Sequence, residues 1–214
     1  MKDLIIIGAG GMGRETAWLV DRINCVVPTW NILGFVDENP LLRGAIINSH
    51  KILGGLHCLL SYPDAHIVCS IANAKVRKSV ITKVIQLLPQ TSFATLIDPS
   101  VVMSERVTIG EGSIVCANSI ATIDIAIGKH VIINTACTIG HDAVLEDYVT
   151  VYPGVNISGN TQIKSCSELG TGMQIIQGKT IGANSVIGAG AVVIEDIPEN
   201  CTAVGVPAKP VKIH

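Results

Sequence analysis

Residues 125–149 read IAIGKHVIINTACTIGHDAVLEDYV, and an aliphatic side chain returns in them at every sixth position: Ile127, Ile133, Ile139 and Leu145. Followed outward in both directions, the same step runs unbroken from Ile97 to Val193. Fifteen of its seventeen positions are Ile, Leu or Val, with Met103 and Ala121 the exceptions. These three residue types number 68 in 214, so a random register of this length would hold five or six of them. Two positions before the register residues sit small ones, such as Ser113, Ser119, Ala143, Ser167 and Ser185, and glycine often follows them, as at Gly110, Gly128, Gly140 and Gly182. A hexad of this form suits one short strand and one corner. Coils stacked in parallel let each aliphatic side chain pack on its equivalent in the next coil, which closes a narrow core without aromatic rings.

Composition agrees. The chain is 48% hydrophobic but only 3% aromatic and 15% charged, which excludes disorder and an ordinary core built on large rings. A formal net charge of -2 with no Lys/Arg run leaves no footprint for nucleic acid or a membrane surface. The apolar start, Leu4 to Ile7, ends at Gly8, too short for a signal core or a membrane span, so a soluble, cytoplasmic protein is expected. Seven cysteines without a CxxC pair or a Cys/His cluster read as free, mostly buried thiols, and no metal site is expected.

Ahead of the repeat, Asp3 to Ile7 reads as a strand, Gly8-Ala9-Gly10-Gly11-Met12-Gly13 as a glycine turn, Arg14 to about Ile23 as a helix, and Ile32 to Val36 as a second strand ending at Asp37. GxGxxG followed by a carboxylate admits an NAD site. The same turn serves any phosphate-bearing ligand, because it presents backbone N–H groups and a helix N-terminus to an anion. About ninety residues are too few for a full dinucleotide fold and a hydride-transfer site together, so a sugar nucleotide is preferred over NAD. A further strand from His66 to Ile71 precedes a helix from Ala74 to Leu88, whose apolar face is read as Val76, Val80, Ile81, Val84, Ile85 and Leu88, with Pro89 as its stop.

The glycine turn, GFVDENP, SIANAKVRK, the hexads, IGHD and a closing VGVPAKP occur in one order along nearly the whole chain. That ordered set resembles the sialic acid O-acetyltransferase (NeuD) family, which includes N-acetyltransferases of UDP-4-amino-4,6-dideoxy sugars. The resemblance implies a small Rossmann-like α/β domain (1–93), a left-handed parallel β-helix of eighteen-residue coils (94–200), a tail (201–214) that closes on a CoA site, and a homotrimer. It implies acetyl-CoA as donor and the 4-amino group of a UDP-linked sugar as the preferred acceptor, with O-acetylation of a sialic acid-type sugar, or a non-catalytic nucleotide-binding scaffold, as alternatives. Serine acetyltransferases share the repeat but carry a helical N-terminal domain.

On the same ground His141 is the general base, Asp142 the carboxylate that orients it, and Asn134 a polar neighbour of the acceptor. Gly159, Thr171, Gly188, Ala189, Gly190, Pro207 and Lys209 match the CoA route. Gly8, Gly10, Gly11, Met12, Gly13, Arg14, Asp37 and Asn73 match acceptor contacts. The chain departs from the pattern at Met12, at Ala72 where glycine is frequent, and at Thr150 where many members carry a second histidine; Thr150 is expected to offer the acceptor one hydrogen bond.

Overall fold

The computed structural model describes residues 1–214. The chain opens with strand β1 (Lys2–Ile7), helix α1 (Gly11–Val26) and strand β2 (Trp30–Val36), followed by β3 (Ile46–Ile47), β4 (His50–Gly54), β5 (His66–Cys69) and helix α2 (Ala74–Leu87). The sheet order is β3-β4-β2-β1-β5, parallel except for the β3–β4 hairpin. Asn48 and Ser49, both at positive φ, make the tight turn of that hairpin, which has no hydrophobic alternation to announce it. Helix α1 begins inside the glycine turn, three residues earlier than the sequence implied. Gly10 serves as its N-cap and offers no side chain, so the first-turn N–H groups stay uncapped.

Residues 92–94 run beside β5, with hydrogen bonds from Ile67 N to Ser92 O and from Ala94 N to Ile67 O, and lead straight into the solenoid. Seventeen two-residue strands follow, β6 (Leu96–Ile97) through β22 (Val192–Val193), and the second residue of each is a hexad position. Each strand pairs with the one a full coil of eighteen residues away, as Ile132 does with Ile114 and Thr150, giving three parallel sheets around one core. The register residues from Val115 to Val193 are all buried, and each fully buried aliphatic side chain contributes about 1.5–3 kcal/mol. Only the open first coil differs: Met103 is 40% exposed. At the other end β23 (Cys201–Val204) and β24 (Lys209–Ile213) extend one sheet as a hairpin.

The corners explain the small residues. Every sixth residue from Gly112 to Gly190 has positive φ, including Asn118, Asp124, Ala136, Asp142 and Asn160, so the left-handed conformation does not depend on glycine. The glycines that follow the register residues answer to space instead: a Cβ at Gly128 would lie 2.5 Å from Asp147 Oδ1 in the next coil. Buried serines spend their hydroxyls on turn carbonyls, Ser113 on Gly128 O at 2.9 Å and Ser119 on Asn134 O at 2.8 Å, so neither hydroxyl is orphaned.

The N-terminal domain sits on one face of the prism. The outward residues of that face, Leu96, Ile114 and Ile132, are fully buried and share a core with Leu4, Ile6, Leu19 and Val20. A further tie is the forked Arg22–Asp98 ion pair, which with Ser100 holds the Asp98 carboxyl down to about 2. The buried side of α2 departs from the sequence reading. Ala74, Arg77, Ile81 and Val84 are buried, while Val76 and Ile85 are 49% and 44% exposed. The face is turned toward Arg77 because solenoid carbonyls are there to receive its guanidinium. Five of the seven free cysteines are buried. No helix is long and apolar enough to cross a membrane.

Candidate active site

The ends of β1, β2 and β5 open onto a crevice of about 480 Å³ lined by Gly8, Gly10, Gly11, Met12, Gly13 and Asp37, with Glu38, Leu56, Ser70, Ile71, Ala72, Val76 and Val80 opposite. Gly8 takes φ +98°, and a Cβ at Gly13 would overlap Gly8 O, so strand, turn and helix approach more closely than any side chain allows. Asp37 stays at the turn: its Oδ2 accepts from Ala9 N and its Oδ1 from Asn39 N, both at 2.9 Å. With both oxygens so engaged, Asp37 shapes the glycine turn. Asn73 caps α2, accepting from Val76 N at 2.9 Å, and Glu168 of the solenoid accepts from Ala74 N. One helix N-terminus, that of α1, is therefore left to meet an anion. Arg14 is exposed on its first turn.

Two of the prism's corners carry the remaining sequence-selected residues. His141 and Asp142 stand at the corner that does not border the docked domain. His141 Nδ1 lies 2.7 Å from Asp142 Oδ2, and both side chains are more than half exposed. A carboxylate at that distance holds the proton on Nδ1 and leaves Nε2 with its lone pair free. Gly159, one coil on, is buried directly under the ring: a Cβ there would be 2.6 Å from His141 Cε1 and Nε2. These residues line an open recess of about 340 Å³ with Asn160, Gln177 and Gly178. Gly159→Ala is expected to tilt the imidazole and, with His141 as the expected base, to lower kcat about tenfold, because a misplaced base costs rate. Steady-state kinetics reads this directly, and an unchanged kcat removes the platform role.

The second corner, which borders the docked domain, carries Asn134, then Thr171 two coils on, then Ala189 and Gly190 in the coil after that, with the loop of Pro207 crossing near it where Ala208 N bonds Val192 O. Asn134 is 6% exposed and shares a small cavity of about 130 Å³ with Glu15, Trp18 and Asp98. Gly188 packs against Val204, and Lys209 pairs with Glu195 at 2.8 Å. Asn134 and His141 thus stand at different corners of one chain. Thr150, expected to offer the acceptor a hydrogen bond, does not line the crevice: it is fully buried, donating to Ala72 O at 2.7 Å and accepting from Arg77. It precedes the register residue Val151 and so points out of its coil, and the docked domain covers that face. Sequence reading missed Arg77 altogether, since no local pattern distinguishes a buried arginine from a surface one on a helix.

A coil corner that presents a carboxylate-held imidazole, on a solenoid that carries a phosphate-type glycine turn ahead of it, belongs to the hexapeptide-repeat acetyltransferases, left-handed parallel β-helices with a Rossmann-like domain. Residues 3–84 match the PglD N-terminal domain family. Over 97% of the chain and 95% of the relative, the sequence is 32% identical to GDP-perosamine N-acetyltransferase of Escherichia coli O157:H7. Among solved structures, a histidine-to-asparagine mutant of perosamine N-acetyltransferase from Caulobacter crescentus, in complex with CoA and GDP-perosamine, superposes with a TM-score of 0.88 at 28% identity, over 99% of this chain and 98% of that one. The acetyltransferase domain of PglB from Neisseria gonorrhoeae, in complex with acetyl coenzyme A, gives 0.88 at 32% identity, over 98% and 99%. The chain belongs to the family of these nucleotide-sugar N-acetyltransferases, and it is an acetyltransferase with acetyl-CoA as donor.

Proposed function

We propose that the protein transfers the acetyl group of acetyl-CoA to the 4-amino group of a nucleoside diphosphate-linked amino sugar, with His141 as general base. The observation that carries this is the 2.7 Å contact of His141 Nδ1 with Asp142, which leaves Nε2 as the acceptor of a proton. As the amine nitrogen attacks the thioester carbonyl, Nε2 takes its proton; the tetrahedral adduct collapses, the C–S bond breaks, and the imidazolium returns the proton to the leaving thiolate. The uncapped N-terminus of α1 and the turn Gly8–Gly13 suit the diphosphate. The resemblance implies a UDP-linked sugar, whereas the Escherichia coli and Caulobacter crescentus relatives are named for or bind GDP-perosamine, so the proposal rests on the diphosphate and the amine common to both.

His141 stands at the corner remote from the face that carries the crevice, so one chain does not bring amine and base together. We propose that copies of the chain assemble as a homotrimer in which the His141 corner of one meets the Asn134 corner and crevice of the next, with CoA lying between them along Thr171, Gly188, Ala189 and Gly190. Acetyl-CoA and nucleotide sugars are cytoplasmic metabolites, and the enzyme is placed there. Free thiol release from acetyl-CoA against GDP- and UDP-linked 4-amino sugars, sialic acid and serine tests the assignment. Turnover is expected with a nucleotide-linked amine. Turnover with sialic acid alone would favour O-acetylation, and none with any acceptor would favour a nucleotide-binding scaffold. Light scattering checks the trimer.

A further inference from the structure

Arg77 is fully buried in a domain junction, yet no carboxylate bonds it. Its guanidinium is instead saturated by oxygens from three places. Nη1 donates to Ile71 O at 2.6 Å and Ala72 O at 2.9 Å, in the wall of the acceptor crevice. Nε donates to His130 O at 2.8 Å, in one coil. Nη2 donates to Tyr148 O at 2.8 Å, Val149 O at 3.2 Å and Thr150 Oγ1 at 2.9 Å, in the next. Thr150 closes the circuit by donating to Ala72 O. Burial pulls the Arg77 pKa down to about 10, which keeps the side chain charged at neutral pH.

A buried charge is a poor way to stabilise a fold, because apolar replacements of similar volume often do as well or better. Its neighbours on α2, Ala74, Ile81 and Val84, would accept an apolar residue. What the guanidinium supplies and an apolar side chain lacks is a fixed fork that reads carbonyls on two coils and on the Ile71–Ala72 wall at once. We infer that Arg77, with Thr150 as its second tie, is a positioning residue that sets the wall of the acceptor crevice in register with the solenoid. This rests on the crevice being the acceptor site. The crevice belongs to the N-terminal domain and the acyl-transfer corners to the solenoid, and of the ties between them, which include the shared apolar core and the Arg22–Asp98 pair, the Arg77 fork is the one that grips the crevice wall itself. A displacement of about 1 Å at this joint would carry the amine out of line with the thioester, a misplacement that costs up to about 10²-fold in rate.

The test compares the full-length wild type with Arg77→Met, Arg77→Lys and Thr150→Val. Arg77→Met is expected to lower kcat/KM for the nucleotide amino sugar at least about tenfold, with the KM for acetyl-CoA within about twofold, and Thr150→Val is expected to move the same parameter in the same direction by less. Arg77→Lys keeps the charge but not the fork, and is expected not to restore the rate. Amide hydrogen exchange at Ser70 and Ala74, the hydrogen-bonded amides that flank the Ile71–Ala72 wall, is expected to accelerate in both Arg77→Met and Thr150→Val. Folded variants with lower thermal midpoints but unchanged kcat/KM and exchange would reduce Arg77 to a structural role and overturn the inference. Full rescue by lysine would overturn it too. If Arg77→Met does not fold, Thr150→Val decides: unchanged exchange and acceptor kinetics sink the proposal. A wild type that acetylates no nucleotide sugar refutes the acceptor assignment instead, while hydrogen exchange still reports on the tie.

Discussion

Replacing His141 by alanine is expected to lower kcat by about 10²–10⁴-fold and to leave the KM for acetyl-CoA within about twofold, the signature of a group that acts in the transition state rather than in binding. The side chain is exposed at a coil corner, its ring rests on Gly159, and no core residue leans on it, so the variant should fold as the wild type does. Asp142→Asn is expected to fall between the two: the amide still occupies the 2.7 Å position, but it no longer favours the tautomer with the proton on Nδ1 and it cannot stabilise the imidazolium. Steady-state kinetics at saturating acceptor, with circular dichroism as a control, measures both. Turnover of His141→Ala close to that of the wild type would remove the histidine from the chemistry and leave the solenoid as a binding scaffold.

Acidification is expected to weaken the fold through a different histidine. His130 is 3% exposed at the junction of the two domains, stacked on Tyr148 with centroids 5.2 Å apart and met edge-on by Phe93 at 4.7 Å. Burial holds its pKa down to about 4, against 6.5 for a free imidazole, and its Nδ1 has no hydrogen-bond partner. The folded state keeps the ring neutral, so as the pH falls it is the unfolded chain that takes up the proton first. The stability tied to this ring is therefore complete above about pH 6.5 and is lost progressively down to about pH 4. A depression of this size corresponds to a loss on the order of 3 kcal/mol across that window. His130→Asn keeps a residue tolerant of the positive φ found there. The variant is expected to be less stable at pH 7 but to show a flatter dependence between pH 7 and 4.5. Thermal midpoints measured across that range decide it: parallel curves for the two proteins would clear His130 of the effect.

Most of the fold was legible because its code is local. One step of six, read from Ile97 to Val193, placed the second residue of all seventeen solenoid strands, and the glycine turn placed the start of the α/β domain. The candidate base was equally visible, since IGHD puts a histidine and a carboxylate side by side at a corner. What escaped were features in which distant parts of the chain meet. The β3–β4 hairpin turns on Asn48 and Ser49 with no alternation around it. Thr150, expected to offer the acceptor a hydrogen bond, is consumed by Arg77 and Ala72. Asp37 and Asn73, expected at the acceptor, also hold the glycine turn and cap α2, roles no local pattern announces.

By itself, then, the sequence determined a stacked aliphatic solenoid, a phosphate-type turn ahead of it and a histidine at one corner, because hydrophobic periodicity and turn chemistry act over a few residues. Only the tertiary structure decided which face the N-terminal domain covers and that Arg77 ties it there. It also put the glycine-turn crevice and His141 at different places on the chain, the crevice on the docked domain and His141 at the corner that domain does not border. Leu96, Ile114, Ile132 and Thr150 recur every eighteen residues as outward positions, and an outward position carries no local mark of being buried until a partner seventy residues away in the chain is laid on it.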